Sequence, residues 1–198
     1  MKQEKVLKEF RDAGALLEGH FVLSSGLHSR HYLQCARVLM DPVRAARLCR
    51  ALAKQVRDAI GEVDYVVSPA MGGVVVGYEM GRQMKVPSMF LERVEGAFEL
   101  RRGFALPKIN GRKPRVLMVE DIVTTGLSSR EAIAAIRAYG GNVVAGACLI
   151  DRSNGKAKIG VKLFPLTAME IETFAAKDLP DDLKNIPVEK PGSRTLKK

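Results

Sequence analysis

Apolar residues along this chain follow two rhythms that take turns. Val6, Leu7, Phe10, Ala13 and Leu17 recur at helical spacing, which predicts an amphipathic helix over Met1–Leu17, ended by Gly19-His20. Phe21–Ser25 and His31–Gln34 read as short extended pieces on either side of a Ser25-Gly26 turn. Asp41-Pro42 caps a helix from Val43 to about Ile60, closed by Gly61. Short strands and helices then alternate. Asp64–Val67 predicts a strand, Ser68–Gly73 a glycine loop, Val74–Met84 an apolar helix and Val86–Phe90 another strand. Glu92–Phe104 is polar, carries Gly96 and Gly103, and predicts a β-hairpin or a mobile flap. Lys108–Arg115 turns at Asn110-Gly111. Val116–Val119, Asn142–Ile150 and Val161–Leu166 predict the remaining strands, with a helix over Arg130–Tyr139 stopped by Gly140-Gly141. Strands alternating with helices, with loops at the strand ends, predict an α/β protein built on a mostly parallel sheet flanked by helices.

The densest candidate chemistry lies in Val116–Ser129, VLMVEDIVTTGLSS. An apolar run ends in two carboxylates, Glu120 and Asp121. A turn from Ile122 to Ser129 follows, with Thr124, Thr125, Ser128 and Ser129 around Gly126. Orphan N–H groups and the helix dipole favour an anion at such a strand–helix turn. Carboxylates repel phosphate, so Glu120 and Asp121 suit hydroxyl groups or a divalent cation instead. A phosphorylated sugar satisfies both halves. The lysine-bearing nucleotide loop G-x-x-x-x-G-K-[ST] is absent. On pattern alone an ordinary connection with a capping hydroxyl remains open.

The same segment closely resembles the phosphoribosyl-pyrophosphate (PRPP) signature of type I phosphoribosyltransferases: four apolar residues, two acids, two apolar residues, then Thr124-Thr125-Gly126 and a further hydroxyl. The resemblance implies that fold, and a PRPP site made by Glu120, Asp121, Ile122, Val123, Thr124, Thr125, Gly126, Leu127 and Ser128. Glu120 and Asp121 hold ribose hydroxyls and act as the catalytic acids, while Thr124–Ser128 grip the 5′-phosphate. Other segments are similar to orotate phosphoribosyltransferases. Ser25, Gly26, Ser29 and Tyr32 match the S-G-x-x-S-x-x-Y pattern of their N-terminal hood, and Asp151-Arg152 matches a pair whose arginine holds the orotate ring, together with Thr124. Ser24 stands where many relatives carry a ligand-contacting lysine, so that role is not transferred. The family's pyrophosphate loop falls on Ala70, Met71 and Gly72, with Ala70-Met71 at its non-proline cis bond; Gly72 replaces a common lysine. The family's flexible loop falls on Glu92–Phe104. Gly96 and Phe98 stand where Lys and His are common, leaving Arg93, Arg101 and Arg102 as candidates for the pyrophosphate charge.

The likeness runs from about Phe21 to Arg194. It implies one domain over residues 1–198, with a hood mainly in 1–40, a core over about 41–175 and a tail over 176–198. The implied reaction moves ribose 5-phosphate from PRPP to orotate, giving orotidine 5′-monophosphate and pyrophosphate in pyrimidine biosynthesis. Mg²⁺ is carried by PRPP with no protein ligand assigned, and a homodimer shares its active site.

A net charge of +10 fits either a nucleic-acid surface or the attraction of polyanionic substrates. The alternatives are therefore a PRPP-binding regulator acting on nucleic acid, or a phosphoribosyltransferase for another base. With few long basic clusters and no basic-aromatic repeats, composition leaves these readings even; the missing loop Lys and His lean toward the regulator, while the absence of a separate nucleic-acid module and the orotate-type Asp151-Arg152 favour the enzyme with small-molecule substrates and no nucleic acid. No apolar stretch approaches the roughly 20 residues that cross a bilayer, and the charged N-terminus has no signal-peptide core. Cys35, Cys49 and Cys148 are scattered, without metal-type spacing, and read as reduced and buried. The expectation is a cytoplasmic protein. His20, His28 and His31 read as supporting residues.

Overall fold

A computed structural model describes residues 1–23 and 25–190. Ser24 and the basic end of the tail lie outside the described residues. The elements are α1 (Gln3–Asp12), β1 (Leu16–Val22), β2 (His28–Leu33), α2 (Cys35–Leu39), α3 (Pro42–Ile60), β3 (Tyr65–Pro69), α4 (Gly72–Met84), β4 (Ser88–Val94), β5 (Ala97–Leu100), β6 (Arg115–Val123), α5 (Leu127–Ala138), β7 (Asn142–Asp151), β8 (Leu163–Ala168), α6 (Asp181–Lys184) and β9 (Val188–Glu189). Six strands form the main sheet in the order β5-β4-β3-β6-β7-β8. Only β5 runs antiparallel to its neighbour.

Helices cover both faces because alternate strand residues point opposite ways. Leu117 and Val119 join the core that includes α3 and α4, while Val116 and Met118 join the core that includes α5. In α3 the buried set Ala45, Leu48, Cys49, Leu52, Ala53 and Val56 keeps helical spacing, and Asp41 accepts from the N–H groups of Val43 and Arg44. Helix α4 comes unusually close to the sheet. A Cβ at Gly77 would stand 2.4 Å from Ser68 Oγ, so glycine there lets the helix lie almost on β3. That approach sets where the loop before α4 sits.

A second sheet, in the order β2-β1-β9, forms the hood. Its third strand comes from the segment expected as tail: Val188 and Glu189 pair parallel with His20 and Phe21. The ring of His20 ties these pieces together. Its Nδ1 donates to the Ile186 carbonyl at 3.1 Å, which leaves Nε2 to accept from His28 Nδ1 at 2.7 Å. These histidines are supporting residues.

Two expectations need correction, and the hairpin is met. The N-terminal helix stops at Asp12, because the chain reverses through Gly14 at φ 59° and Leu16-Leu17 begin β1, which runs through Gly19-His20. Strand β6 does not end at Val119. It continues through the acids to Val123, paired with β7 as far as Asp151. The turn is accordingly short, Thr124–Gly126, and Ser128 and Ser129 already belong to α5. Glu92–Phe104 contains a hairpin, with β4 and β5 joined at Glu95-Gly96.

Candidate active site

The parallel strands β3, β6 and β7 end at Pro69, Val123 and Asp151. Open α/β sheets bind ligands beyond such carboxyl ends. A cavity of about 240 Å³ lies there, lined by Pro69, Ala70, Met71, Gly72, Gly73, Arg93, Phe98, Glu120, Asp121 and Ser128. The Ala70-Met71 peptide is cis. Sequence elements about fifty positions apart thus meet in one place.

Glu120 and Asp121 are neighbours in a strand, so they face opposite sides of the sheet. Glu120 turns toward α5, where its Oε2 accepts the hydroxyl of Ser129. Asp121 turns toward α4, where a Cβ at Gly72 would lie 2.9 Å from its carboxylate oxygens. The two acids therefore flank the strand tip and share the cavity from both sides. Burial pushes the Glu120 carboxyl up to about 7; the Ser129 bond opposes the rise and the Asp121 charge adds to it. Burial raises Asp121 as well, against the N–H it accepts from Ile122.

The turn Thr124–Gly126 launches α5 with Gly126 at φ 74° and no side-chain cap. Uncapped first-turn N–H groups are free to meet an anion. Gly126 is needed for contact as well as for its dihedral. A Cβ there would come 2.9 Å from Ile159 Cγ2, so the segment after β7 packs directly on the turn. Arg130 staples the two, with Nη1 donating to the carbonyls of Thr125 and Lys158 at 3.1 and 3.0 Å.

Asp151 organises the next loop. Its carboxylate accepts from Ser153 N at 2.8 Å, Ser153 Oγ at 2.6 Å and Gly155 N at 2.8 Å. Arg152 is held by its backbone N–H on the Val123 carbonyl. Its side chain is half-buried, and Nε is shielded from water without a partner among the described residues. Burial pushes this guanidinium below its ordinary range, while Tyr32 of β2 opposes the shift. A buried donor without an acceptor is costly, so Arg152 is poised for an anionic ligand. Asp151→Ala is expected to free three donors at once. Binding of an anionic ligand at Arg152 should weaken about ten-fold or more, with a few degrees lost in melting temperature, as ligand titration and thermal melts will read.

Of the remaining candidates, Arg93 lines the cavity but is occupied: it donates to the Gly96 carbonyl and to Glu131, both at 2.5 Å, and stacks on Phe98. Arg102 pairs with Glu92 through two bonds, and Arg101 is exposed. Neither Arg101, Arg102, Arg152 nor the Thr124-Thr125 pair lines the acid cavity. Two contributors escaped sequence reading. Phe98 closes the cavity, though only its position in the flap was noted. The anchoring role of Asp151 was legible in the Asp151-x-Ser153-x-Gly155 spacing, an Asx-type turn pattern.

Residues 41–168 match the family described as the phosphoribosyl transferase domain. The orotate phosphoribosyltransferase of Parvibaculum lavamentivorans is 60% identical, over 99% of this chain and 100% of that protein. That of Caulobacter vibrioides is 56% identical over 100% of both. Among solved structures, the orotate phosphoribosyltransferase of Aeropyrum pernix superposes with a TM-score of 0.67 at 26% identity, covering 83% of this chain and 93% of that one.

Proposed function

This chain belongs to the phosphoribosyl transferase family, and from its full-length likeness to orotate phosphoribosyltransferases we infer that it is one. It is a pentosyltransferase of pyrimidine biosynthesis, taking orotate and PRPP to orotidine 5′-monophosphate and pyrophosphate. The observation that supports the base assignment on physical grounds is the half-buried Arg152, whose Nε has no partner among the described residues and whose backbone N–H bonds Val123, the residue before Thr124. The guanidinium fork matches a carboxylate.

The residue roles are those the family signature implies, and the position of Glu120, Asp121 and Ser128 around the cavity supports them. Uncapped N–H groups at the start of α5, with Thr124, Thr125 and Ser128, receive the 5′-phosphate. Glu120 and Asp121 take the ribose hydroxyls from the two sides of the β6 tip. Their charge favours the positive character that grows on the sugar as pyrophosphate departs. The orotate ring nitrogen attacks the anomeric carbon, so the chain supplies no covalent nucleophile. Met71 and Gly72 offer backbone N–H groups to the pyrophosphate, while that of Ala70 bonds the Leu91 carbonyl at 2.8 Å and shapes the loop.

Among the described residues no group of three or more His, Cys, Asp or Glu surrounds a metal position. Arg93 is already neutralised by Glu131. With Arg93 so engaged, Mg²⁺ carried on the pyrophosphate of PRPP would offset leaving-group charge. Arg101, exposed on the flap, and Arg102 serve the pyrophosphate after the hairpin shifts, or in the site of a second protomer. A homodimer accommodates that exchange: Met71, Val75 and Tyr78 form an exposed stripe along α4 that starts at the cavity. No described helix is long and apolar enough to cross a membrane, and all three cysteines are free and buried. Both support a cytoplasmic setting.

Product analysis tests the reading. Incubation with orotate, PRPP and Mg²⁺ should yield orotidine 5′-monophosphate by mass spectrometry, with equimolar pyrophosphate. Adenine or uracil in place of orotate should yield none.

A further inference from the structure

Ser129 lies just past the PRPP signature, and the mechanism above leaves it unused. It is fully buried, in the first turn of α5. Its neighbour Ser128 lines the cavity, whereas Ser129 turns inward to the tip of β6. A buried hydroxyl without an acceptor is costly. Here the acceptor is Glu120 Oε2, and among the described residues no other donor reaches that carboxylate. The two groups thus satisfy each other. Nothing else on α5 serves this purpose: Arg130 is spent on Thr125 and Lys158, and Glu131 on Arg93.

We propose that Ser129 is the positioning residue for Glu120: its buried hydroxyl fixes the carboxylate through Oε2 and holds it ionised, leaving the other oxygen to the ribose hydroxyls. This role rests on the reading of Glu120 as a ribose contact. A hydrogen bond to a charged acceptor is stronger than one to the neutral acid, so the bond favours the charged form. Burial opposes the charged form most, and the Asp121 charge, next in the strand, adds to it. Cys148 faces Glu120 on β7, but burial pushes its thiol and that of Cys35 well up, so both stay uncharged. Arg93, the only cation lining the cavity among the described residues, is engaged by Glu131. Glu120 sits near neutrality under these influences, so the presence of one donor decides how much carboxylate exists at physiological pH.

The test is a carbon-13 carboxyl titration of the unliganded protein, with the Glu120 signal assigned through Glu120→Gln. In Ser129→Ala the Glu120 midpoint should move to higher pH by about one unit, which corresponds to a ten-fold change in proton affinity. Ser129→Thr, which keeps the hydroxyl, should return it toward the wild type. The acid limb of kcat/KM for PRPP should move in parallel. Activity should fall roughly five- to ten-fold at and below pH 7 and recover in alkaline solution. Should Ser129→Ala fail to fold, Ser129→Cys offers the same comparison with a weak donor. An unmoved midpoint in a folded variant overturns the proposal. A uniform loss across all pH values also overturns it, because that is the mark of a packing role. The reading of the site fails separately: a shifted midpoint in a protein that does not turn over orotate would keep the Ser129–Glu120 coupling and remove the reaction.

Discussion

Arg152→Ala is expected to raise the orotate KM by about 100- to 1000-fold while PRPP binding stays within a few-fold of the wild type. The magnitude follows from losing a desolvated, two-pronged charge contact, worth about 3–4 kcal/mol in comparable pairs. The asymmetry follows from placement. Arg152 belongs to the loop after β7, whereas the PRPP residues are on β6, its turn and α5. The variant should not lose stability. In the unliganded protein the Arg152 Nε is buried without a partner, so its removal deletes a cost rather than a bond. Orotate-dependent kinetics and a thermal melt together check this. A drop of several degrees with unchanged orotate KM would mean that Arg152 is structural.

Glu120→Gln should produce the opposite pairing of effects to an ordinary buried substitution. Activity is expected to fall about 100-fold, the order seen when one electrostatic stabiliser of a transition state is removed. Stability in alkaline solution should rise. The sign follows from the direction of the shift: the folded carboxyl is raised from 4.5 to about 7, so the folded protein binds the proton more tightly than the unfolded chain. That contribution is fully present below pH 4.5 and is lost as pH rises to about 7. Above that window the ionised Glu120 costs up to about 3 kcal/mol relative to a neutral side chain. Glutamine has no charge to desolvate and still offers an oxygen to Ser129. Chemical denaturation at pH 5 and pH 8.5 will read the difference. The gain should appear at pH 8.5 and shrink at pH 5.

Much of the scaffold was legible because it obeys local rules. The Asp41-Pro42 start of α3, its buried face and its Gly61 stop are all visible in the order of residues. The alternation of apolar runs and helices is visible too, and so is the acid-hydroxyl segment that became β6, its turn and α5. Other features depend on partners distant in sequence. Glu120 and Asp121 look like the end of a strand, yet β7 pairs with them and carries β6 on to Val123. Leu17 fits a helical period, but Gly14 turns the chain and the hood sheet claims Leu16 and Leu17 for β1. Strand β9 is two residues long and has no period to detect; it exists because β1 offers an edge. The same limit applies within the site. Which arginine is available depends on Glu131 and Glu92, positions that no local pattern links to Arg93 and Arg102.

Phosphoribosyl transfer to orotate is read by following orotate absorbance in the presence of PRPP and Mg²⁺, with uracil, which lacks the carboxylate, as the parallel base. The orotate signal should fall steadily only when all three components are present, with no consumption of uracil. An unchanged orotate signal with PRPP bound, or uracil consumed as readily as orotate, would contradict that transfer.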